Sequence, residues 1–479
     1  MNKRIYFNAF HMNCVVHQSP GLWVRPEDQM ENYTDLNTWI ELAKVLERGK
    51  FDALFLADVV GVYDVFRGGR EAALTQAAQV PVNDPMLLVP AMAAATEHLG
   101  FAFTSSIFQY HPFTFARLIS TLDHLTKGRV AWNIVTSYLE SMGRSYGQSG
   151  LVEHDERYDM ADEYCDVCYK LWEWSWEDGA VVKDRQRGIY ADPTKVRNVV
   201  HEGKYYKVDG CHLSEPSPQR TPVLYQAGSS PRGQAFAARH AECVFIATPT
   251  PDVAGQYIQS TRKQAEQNGR NPEDILFFAY LKVITGGTEA EAKKKYDDYF
   301  EQVSYDGAMA LLSGWAGYDF GKFDPDEPLE YIETNAVRTF WNSFTRADPD
   351  RKWTVRDLAK YIGIGGGGPV AVGSPEQIVD EFQRWTQAGV DGFNIAYAVT
   401  PGTFEDFVDG VVPVLQKRGM MQTEYEDGTL REKLYGAGRA RLSEPHPATG
   451  YQRARTAPQP RGVRRPHRHE DPASVSVAE

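Results

Sequence analysis

Histidines, a cysteine and short polar side chains recur in the first half of the sequence where apolar runs give way to turns. His11, Asn13, Cys14 and His17 follow the run ending at Phe10. Asp58 ends ALFLAD, Thr104 and Ser105 end GFAFTS, and Asn133, Thr136 and Ser137 lie along VAWNIVTS. Polar groups repeated at the same end of several strands suit a ligand with many heteroatoms. The segment QAGSSPRG, Gln226 to Gly233, joins a strand to a helix through small residues. It offers backbone N–H groups, the Ser229 and Ser230 hydroxyls and the Arg232 guanidinium at a helix N-terminus, where the dipole favours an anion such as phosphate. His154, Arg157 and Tyr158 open the helix after the fourth strand and add to the same face.

The elements that must hold these groups are parallel strands separated by helices. β-like runs at 5–10, 53–58, 100–106, 130–137, 222–228, 243–248, 275–284 and 392–399 alternate with amphipathic runs. Several of the β-like runs lack polar alternation, as strands buried on both faces do. Leu36, Trp39, Ile40, Ala43 and Leu46 form one helical stripe, stopped by Gly49; Phe115, Leu118, Ile119, Leu122 and Leu125 form another, stopped by Gly128. Ser230-Pro231 and Ser374-Pro375 pair a hydroxyl cap with a proline at the first helical position, and Thr403-x-x-Asp406 reads as a capping box. Eight strand–helix units predict an α/β fold, a (β/α)8 TIM barrel with its chemistry at the C-terminal ends of the strands. A doubly wound open sheet with a second domain is the alternative. Stretches at about 178–213 and 307–369 exceed a bare barrel and are expected as insertions, the second over the active site.

Length alone, 479 residues, suggests three domains at ~150 residues each, but a barrel of residues 1–440 accounts for most of it. From residue 441 the chain turns Pro- and Arg-rich, with seven Arg against four acidic residues. A disordered tail of about +3 is expected over 441–479, leaving about −16 of the net −13 on the barrel. That acidic balance argues against nucleic acid and anionic membrane as partners. No apolar run reaches the ~18 residues of a membrane span. Five cysteines without an export signal fit free thiols in the cytoplasm.

Two motifs lose on context. Gly363-Ile-Gly365-Gly-Gly-Gly368 follows a helix-like run rather than a strand, so a loop is expected instead of a dinucleotide site. Cys165-x-x-Cys168 puts both sulfurs on an apolar helical stripe, which predicts core packing. No metal site is expected.

These segments also carry a resemblance. NAFHMNCVVHQSPGLW, LERGKFDALFLAD, ARLISTLDHLTKGRVAWNIVTS, EHDERYDMADEY and PSPQRTPVLYQAGSSPRG resemble the flavin-dependent monooxygenases of the bacterial-luciferase-like superfamily. The similarity runs over roughly residues 3–425 and lies in the branch of the nitrilotriacetate, dibenzothiophene-sulfone and dimethyl-sulfide enzymes, with the last the most similar. It implies a luciferase-like barrel that uses reduced FMN (FMNH2) and O2 by way of a flavin C4a-hydroperoxide. It further implies a separate NAD(P)H:flavin reductase as partner, a small organosulfur substrate such as dimethyl sulfide with C–S cleavage, and a homodimer or homotetramer. Asp58, Thr104, Asn133, His154, Tyr158 and Ser230 are implied to contact the flavin, with Ser229, Ser230, Tyr158 and Arg232 around its phosphate. Proton transfer calls for a group that titrates near neutrality. No His occurs between His240 and His446, so His11, His17 and His154 are the catalytic candidates, with Cys14 beside them. Aminopolycarboxylate hydroxylation and deazaflavin-dependent hydride transfer are the alternatives.

Overall fold

The computed structural model describes residues 3–326, 328 and 353–456. Its strands, in chain order, are β1 (Tyr6–Met12), β2 (Ala53–Ala57), β3 (Gly100–Ser106), β4 (Val130–Val135), β5 (Val181–Asp184), β6 (Ile189–Ala191), β7 (Val199–Glu202), β8 (Lys207–Gly210), β9 (Val223–Gln226), β10 (Cys243–Ile246), β11 (Leu276–Thr285), β12 (Val370–Gly373) and β13 (Gly392–Ala396). Eight of them, β1, β2, β3, β4, β9, β10, β11 and β13, are the expected strands. They pair in parallel and close through β10 and β11 into a barrel wrapped by helices. Nearly every residue of these strands is buried, which is why their sequences carry little polar alternation.

The helices follow their caps. Ser230 Oγ accepts from Gly233 N at 3.0 Å and starts the helix Pro231–His240; Ser374 forms a full capping box for Pro375–Gln387. The capping box read at Thr403 is a correction. Thr403 lies inside the helix Gly402–Asp406, and its hydroxyl accepts from the N–H groups of Ala398 and Val399 in the preceding turn. Among the described residues no helix is long and apolar enough to cross a membrane.

The two ends of the barrel are built differently. At the base, Asp52, Glu242 and Asp391 each precede a strand and accept the backbone N–H of a neighbouring one, at Phe7, Leu224 and Phe277. The helix Leu430–Tyr435 plugs this end, its Leu430 and Leu434 packing with Val223, Cys243 and Phe278. Arg431, 1% exposed, sits against Glu242 at 2.7 Å and also donates to the carbonyls of Thr221, Pro222 and Ala440. Charge at the base is thus consumed in structure, while the opposite end keeps a cavity.

The first expected insertion folds as two antiparallel hairpins, β5–β6 and β7–β8. Of the second, the helices Tyr305–Ala316 and Val355–Gly365 pack together in a hydrophobic cluster of their own with Met12, Cys14, Tyr63 and Phe66. Residues 327 and 329–352 of that stretch lie outside the described residues. Gly363 and Gly365 end the second helix and Gly366 turns the chain at φ +63°, so the glycine run is a helix stop. Cys165 and Cys168 are fully buried on the helix His154–Tyr169, as the stripe predicted.

The tail expected from residue 441 is corrected over its first part. Residues 441–456 are ordered against the barrel: Leu442, His446, Ala448 and Thr449 are buried, Arg441 pairs with Asp178, and the His446 ring meets the His240 carbonyl at 2.9 Å. Averaged composition hides a few anchors set between prolines. Residues 457–479 lie outside the described residues. Truncation after Ala440 is therefore expected to lower stability by roughly 2–4 kcal/mol, from the burial of Leu442 and its neighbours. Denaturant unfolding of the two chains checks this, and identical midpoints would mean the segment adds nothing.

Candidate active site

At the C-terminal end of the barrel a cavity of about 350 Å³ opens over a floor of Phe10, Phe55 and Phe245. These rings meet edge to face, with centroids 5.6 Å apart for Phe10 and Phe55 and 4.9 Å for Phe10 and Phe245. Met12, Val59, Val135 and Trp315 add apolar wall; Asp58, Thr104, Asn133, Gln79, His17 and Gln18 supply the polar groups. A second chamber of about 370 Å³ adjoins it and shares Val135, Tyr138 and Ala227 with it. Its lining includes His154, Arg157, Tyr158, Ser229 and Ser230. Ser137, at φ +61° with its hydroxyl 2.8 Å from that of Ser106, turns the chain at the end of β4 and sets Tyr138 at the junction.

The strand-end residues converge as expected. Asn133 Nδ2 donates to Thr104 Oγ1 at 2.9 Å across β3 and β4, while Asn133 Oδ1 is buried with no partner. Gln18 Oε1 is in the same condition. Asp58 accepts from Gln109 Nε2 at 3.0 Å; burial, helped by the nearby Asp84 charge, pushes its carboxyl up to about 7. In the second chamber Ser230 caps the helix Pro231–His240. Gly228 and Gly233 let the backbone approach Tyr158, since a Cβ at either would come within 2.6 Å of the phenol oxygen.

Other expectations are corrected. His11 is fully buried but faces outward from β1, because side chains alternate along a strand and Phe10 and Met12 take the cavity side. It stacks on Tyr397 with centroids 4.1 Å apart and bonds Thr400 Oγ1 at 2.9 Å, and burial lowers its pKa to about 3. Cys14 lies in the insertion's hydrophobic cluster, bonds the Val16 carbonyl at 3.3 Å, and burial raises its thiol far above the ordinary value. Neither reaches the cavity. Arg232 is held by Asp159 at 2.9 Å and Asp162 at 2.6 Å and does not line the second chamber. Arg157 does: 8% exposed, it bonds the Val152 carbonyl and leaves Nε buried without a partner. His17 lines the main cavity, its ring 4.7 Å from Phe10, and burial, then His11 and Lys282, holds it well below the ordinary imidazole range. His154 lines the second chamber half-exposed, with Nδ1 2.6 Å from Asp155.

Several lining residues carry no signal in the sequence. Gln79, at φ +54°, donates to the His17 carbonyl at 2.7 Å and accepts from Tyr63, whose hydroxyl also meets Tyr138 and the indole N–H of Trp315 at 3.0 Å. This chain of bonds ties the insertion to the cavity wall, and only the tertiary fold assembles it.

Comparison with known proteins places the whole arrangement. The family described as luciferase-like monooxygenase matches residues 10–392. The chain is 52% identical over 455 residues to a dimethyl-sulfide monooxygenase of Hyphomicrobium sulfonivorans, covering 95% of each. It is 50% identical over 452 residues to a long-chain alkane monooxygenase of Geobacillus thermodenitrificans, covering 94% of this chain and 98% of that one. The crystal structure of DmoA from Hyphomicrobium sulfonivorans has a TM-score of 0.90 at 51% identity, covering 96% of this chain and all of that one. The chain belongs to the luciferase-like monooxygenase family, enzymes that use reduced flavin and O2 on a (β/α)8 barrel.

Proposed function

We propose that this protein is the oxygenase component of a two-component FMNH2-dependent monooxygenase acting on a small uncharged organosulfur compound such as dimethyl sulfide. The observation that carries the reading is the pair of joined chambers, one aromatic and nearly free of charge, the other lined by Arg157, Tyr158 and the Ser229–Ser230 helix end. The orphaned Asn133 Oδ1 and Gln18 Oε1 call for N–H donors such as a flavin ring offers. The Ser230 helix end, the Ser229 hydroxyl, Tyr158 and the orphaned Arg157 Nε suit the FMN phosphate. Bound flavin would supply the activation of O2. Phe10, Phe55 and Phe245 exclude water, Thr104 and Asn133 orient the ring, and Asp58 holds a proton on its carboxyl up to about pH 7 for delivery to reacting oxygen. His17 remains the one catalytic histidine candidate in the main cavity; His154 belongs to the cofactor side.

No Lys or Arg lines the main cavity among the described residues, which disfavours an aminopolycarboxylate, whose carboxylates need cationic partners. A cavity of about 350 Å³ that must also admit the flavin ring favours a small substrate over a long alkane. Five free thiols suit the cytoplasm, a flavin reductase is the partner we infer, and we read the assembly as a homodimer or homotetramer. Rapid mixing of the protein with FMNH2 and O2, followed by product analysis with sulfides, sulfones, aminocarboxylates and alkanes, tests the proposal. Absence of any oxygenated product would end it, and substrate turnover without O2 consumption would favour the deazaflavin alternative. Arg157→Gln is expected to weaken FMN binding about tenfold while sparing riboflavin, which lacks the phosphate, and Arg232→Gln to change neither. Fluorescence titration with both flavins checks it; equal effects of the two substitutions would return the phosphate contact to Arg232.

A further inference from the structure

Lys282 is the one lysine of β11, and it points into the barrel. Leu276, Phe278 and Tyr280, two residues apart on the same strand, fill the interior layers below it, so Lys282 occupies the next layer up, towards the cavity end. Its side chain is fully buried. The ammonium donates to Ser19 Oγ at 2.5 Å, and among the described residues no carboxylate pairs with it. Ser19 in turn bonds the Tyr397 carbonyl, and the two residues before it, His17 and Gln18, line the cavity. The lysine therefore stands one layer behind the cavity wall, under the His17–Ser19 segment. The titratable groups around this corner are His11 and His17, Cys14, Tyr280 and Tyr397, with Asp28 beyond Tyr397 and Asp58 in the cavity wall.

A buried lysine without a counter-ion holds its proton poorly, and an anion brought near it restores the charged form. The cavity lies beyond the His17–Gln18 segment that the Ser19 contact adjoins. We propose that Lys282 is a positioning residue that places a positive charge behind the cavity wall and so favours an anionic occupant. Resting on the flavin reading above, this means a preference for reduced flavin, anionic at neutral pH, over the oxidised form with its neutral ring. Ser19 fixes where the ammonium sits, and the full burial of Lys282 keeps the interaction weakly screened. Burial also lowers the lysine to about 7, which lets it take up a proton as an anion enters.

The experiment measures dissociation constants of oxidised FMN and, anaerobically, of FMNH2 for the full chain and for Lys282→Gln, Lys282→Met and Lys282→Arg. Gln keeps a donor for Ser19 without the charge, and Arg keeps the charge. The ratio of oxidised to reduced dissociation constants is expected to fall about tenfold in the Gln and Met variants, equivalent to about 30 mV in the two-electron potential, and to hold in the Arg variant. An unchanged ratio, or equal weakening of both forms, in variants with native circular dichroism would overturn the proposal by reducing Lys282 to a packing role. If the neutral variants do not fold, proton uptake on binding FMNH2 at pH 7.5 is compared in the unsubstituted protein and in Asp58→Asn; uptake that persists without the Asp58 carboxyl supports the proposal, and no uptake, or uptake lost with Asp58, overturns it. A protein that oxygenates its substrate with an unchanged ratio loses only this inference; one that binds neither form of FMN loses the functional reading as well.

Discussion

Gly228→Val is expected to weaken FMN binding by at least about a hundredfold while the barrel stays folded. A Cβ at residue 228 would stand 2.5 Å from Tyr158 Oη, 2.5 Å from Gln226 Nε2 and 2.9 Å from the Gly233 backbone. The backbone contact cannot rotate away, so the turn must open and the Ser229–Ser230 segment must leave the helix end that it caps. The loss then combines two or more charge-assisted hydrogen bonds to phosphate, each of about 1.5–3 kcal/mol. The Tyr257 hydroxyl, which donates to the Gly228 carbonyl at 2.8 Å, registers the same displacement. Equilibrium dialysis with FMN, beside circular dichroism, measures it. Retention of flavin binding within a factor of a few would mean that the second chamber is not the phosphate site.

Asp58→Asn is expected to lower turnover about a hundredfold and to remove a pH dependence. With its carboxyl pushed up to about 7, Asp58 is protonated below neutrality and ionised above it, so activity of the unsubstituted enzyme falls as pH rises through about 7 if this proton is the one delivered. The Asn variant keeps a polar group beside Gln109 but has no proton to give, so its residual rate is flat across that range. Stability moves the other way. A carboxyl whose pKa is raised on folding contributes most below its unfolded value near 4, and the contribution is gone above about 7, where the native state must carry a poorly solvated charge. At pH 8 the Asn variant is accordingly expected to melt a few degrees higher than the native chain. Lower activity with a lower melting point would point to damage rather than chemistry, and an unaltered pH profile would clear Asp58 of the proton-transfer role.

How far the site was legible depended on the kind of cue. Ser230-Pro231 fixed its own helix start, because a hydroxyl cap and a proline at the first helical position are local chemistry. Thr104 and Asn133 were legible because a parallel barrel puts every strand's C-terminal end on one face. His11 and Cys14 were misplaced by the same reasoning, since strand-end position does not say which of two faces a side chain takes. Arg157 and Arg232 both lie in the first turn of their helices, fourth and second from the start. The carboxylates of Asp159 and Asp162, brought over from a neighbouring helix, capture Arg232 and leave Arg157 to the chamber.

Local sequence sufficed for the barrel, its eight strands, the Ser230 helix start and the family, because periodicity, caps and small-residue turns act over a few neighbouring residues. Tertiary structure alone decided which polar groups face the cavity, which charges are neutralised, how residues 441–456 dock and where Lys282 sits relative to His17. Those outcomes are set by burial and by partners hundreds of residues away, as when Ser19 meets Lys282 or Tyr63 meets Trp315. A hydrogen bond or a pKa exists only once the chain has brought both groups together and excluded the water between them.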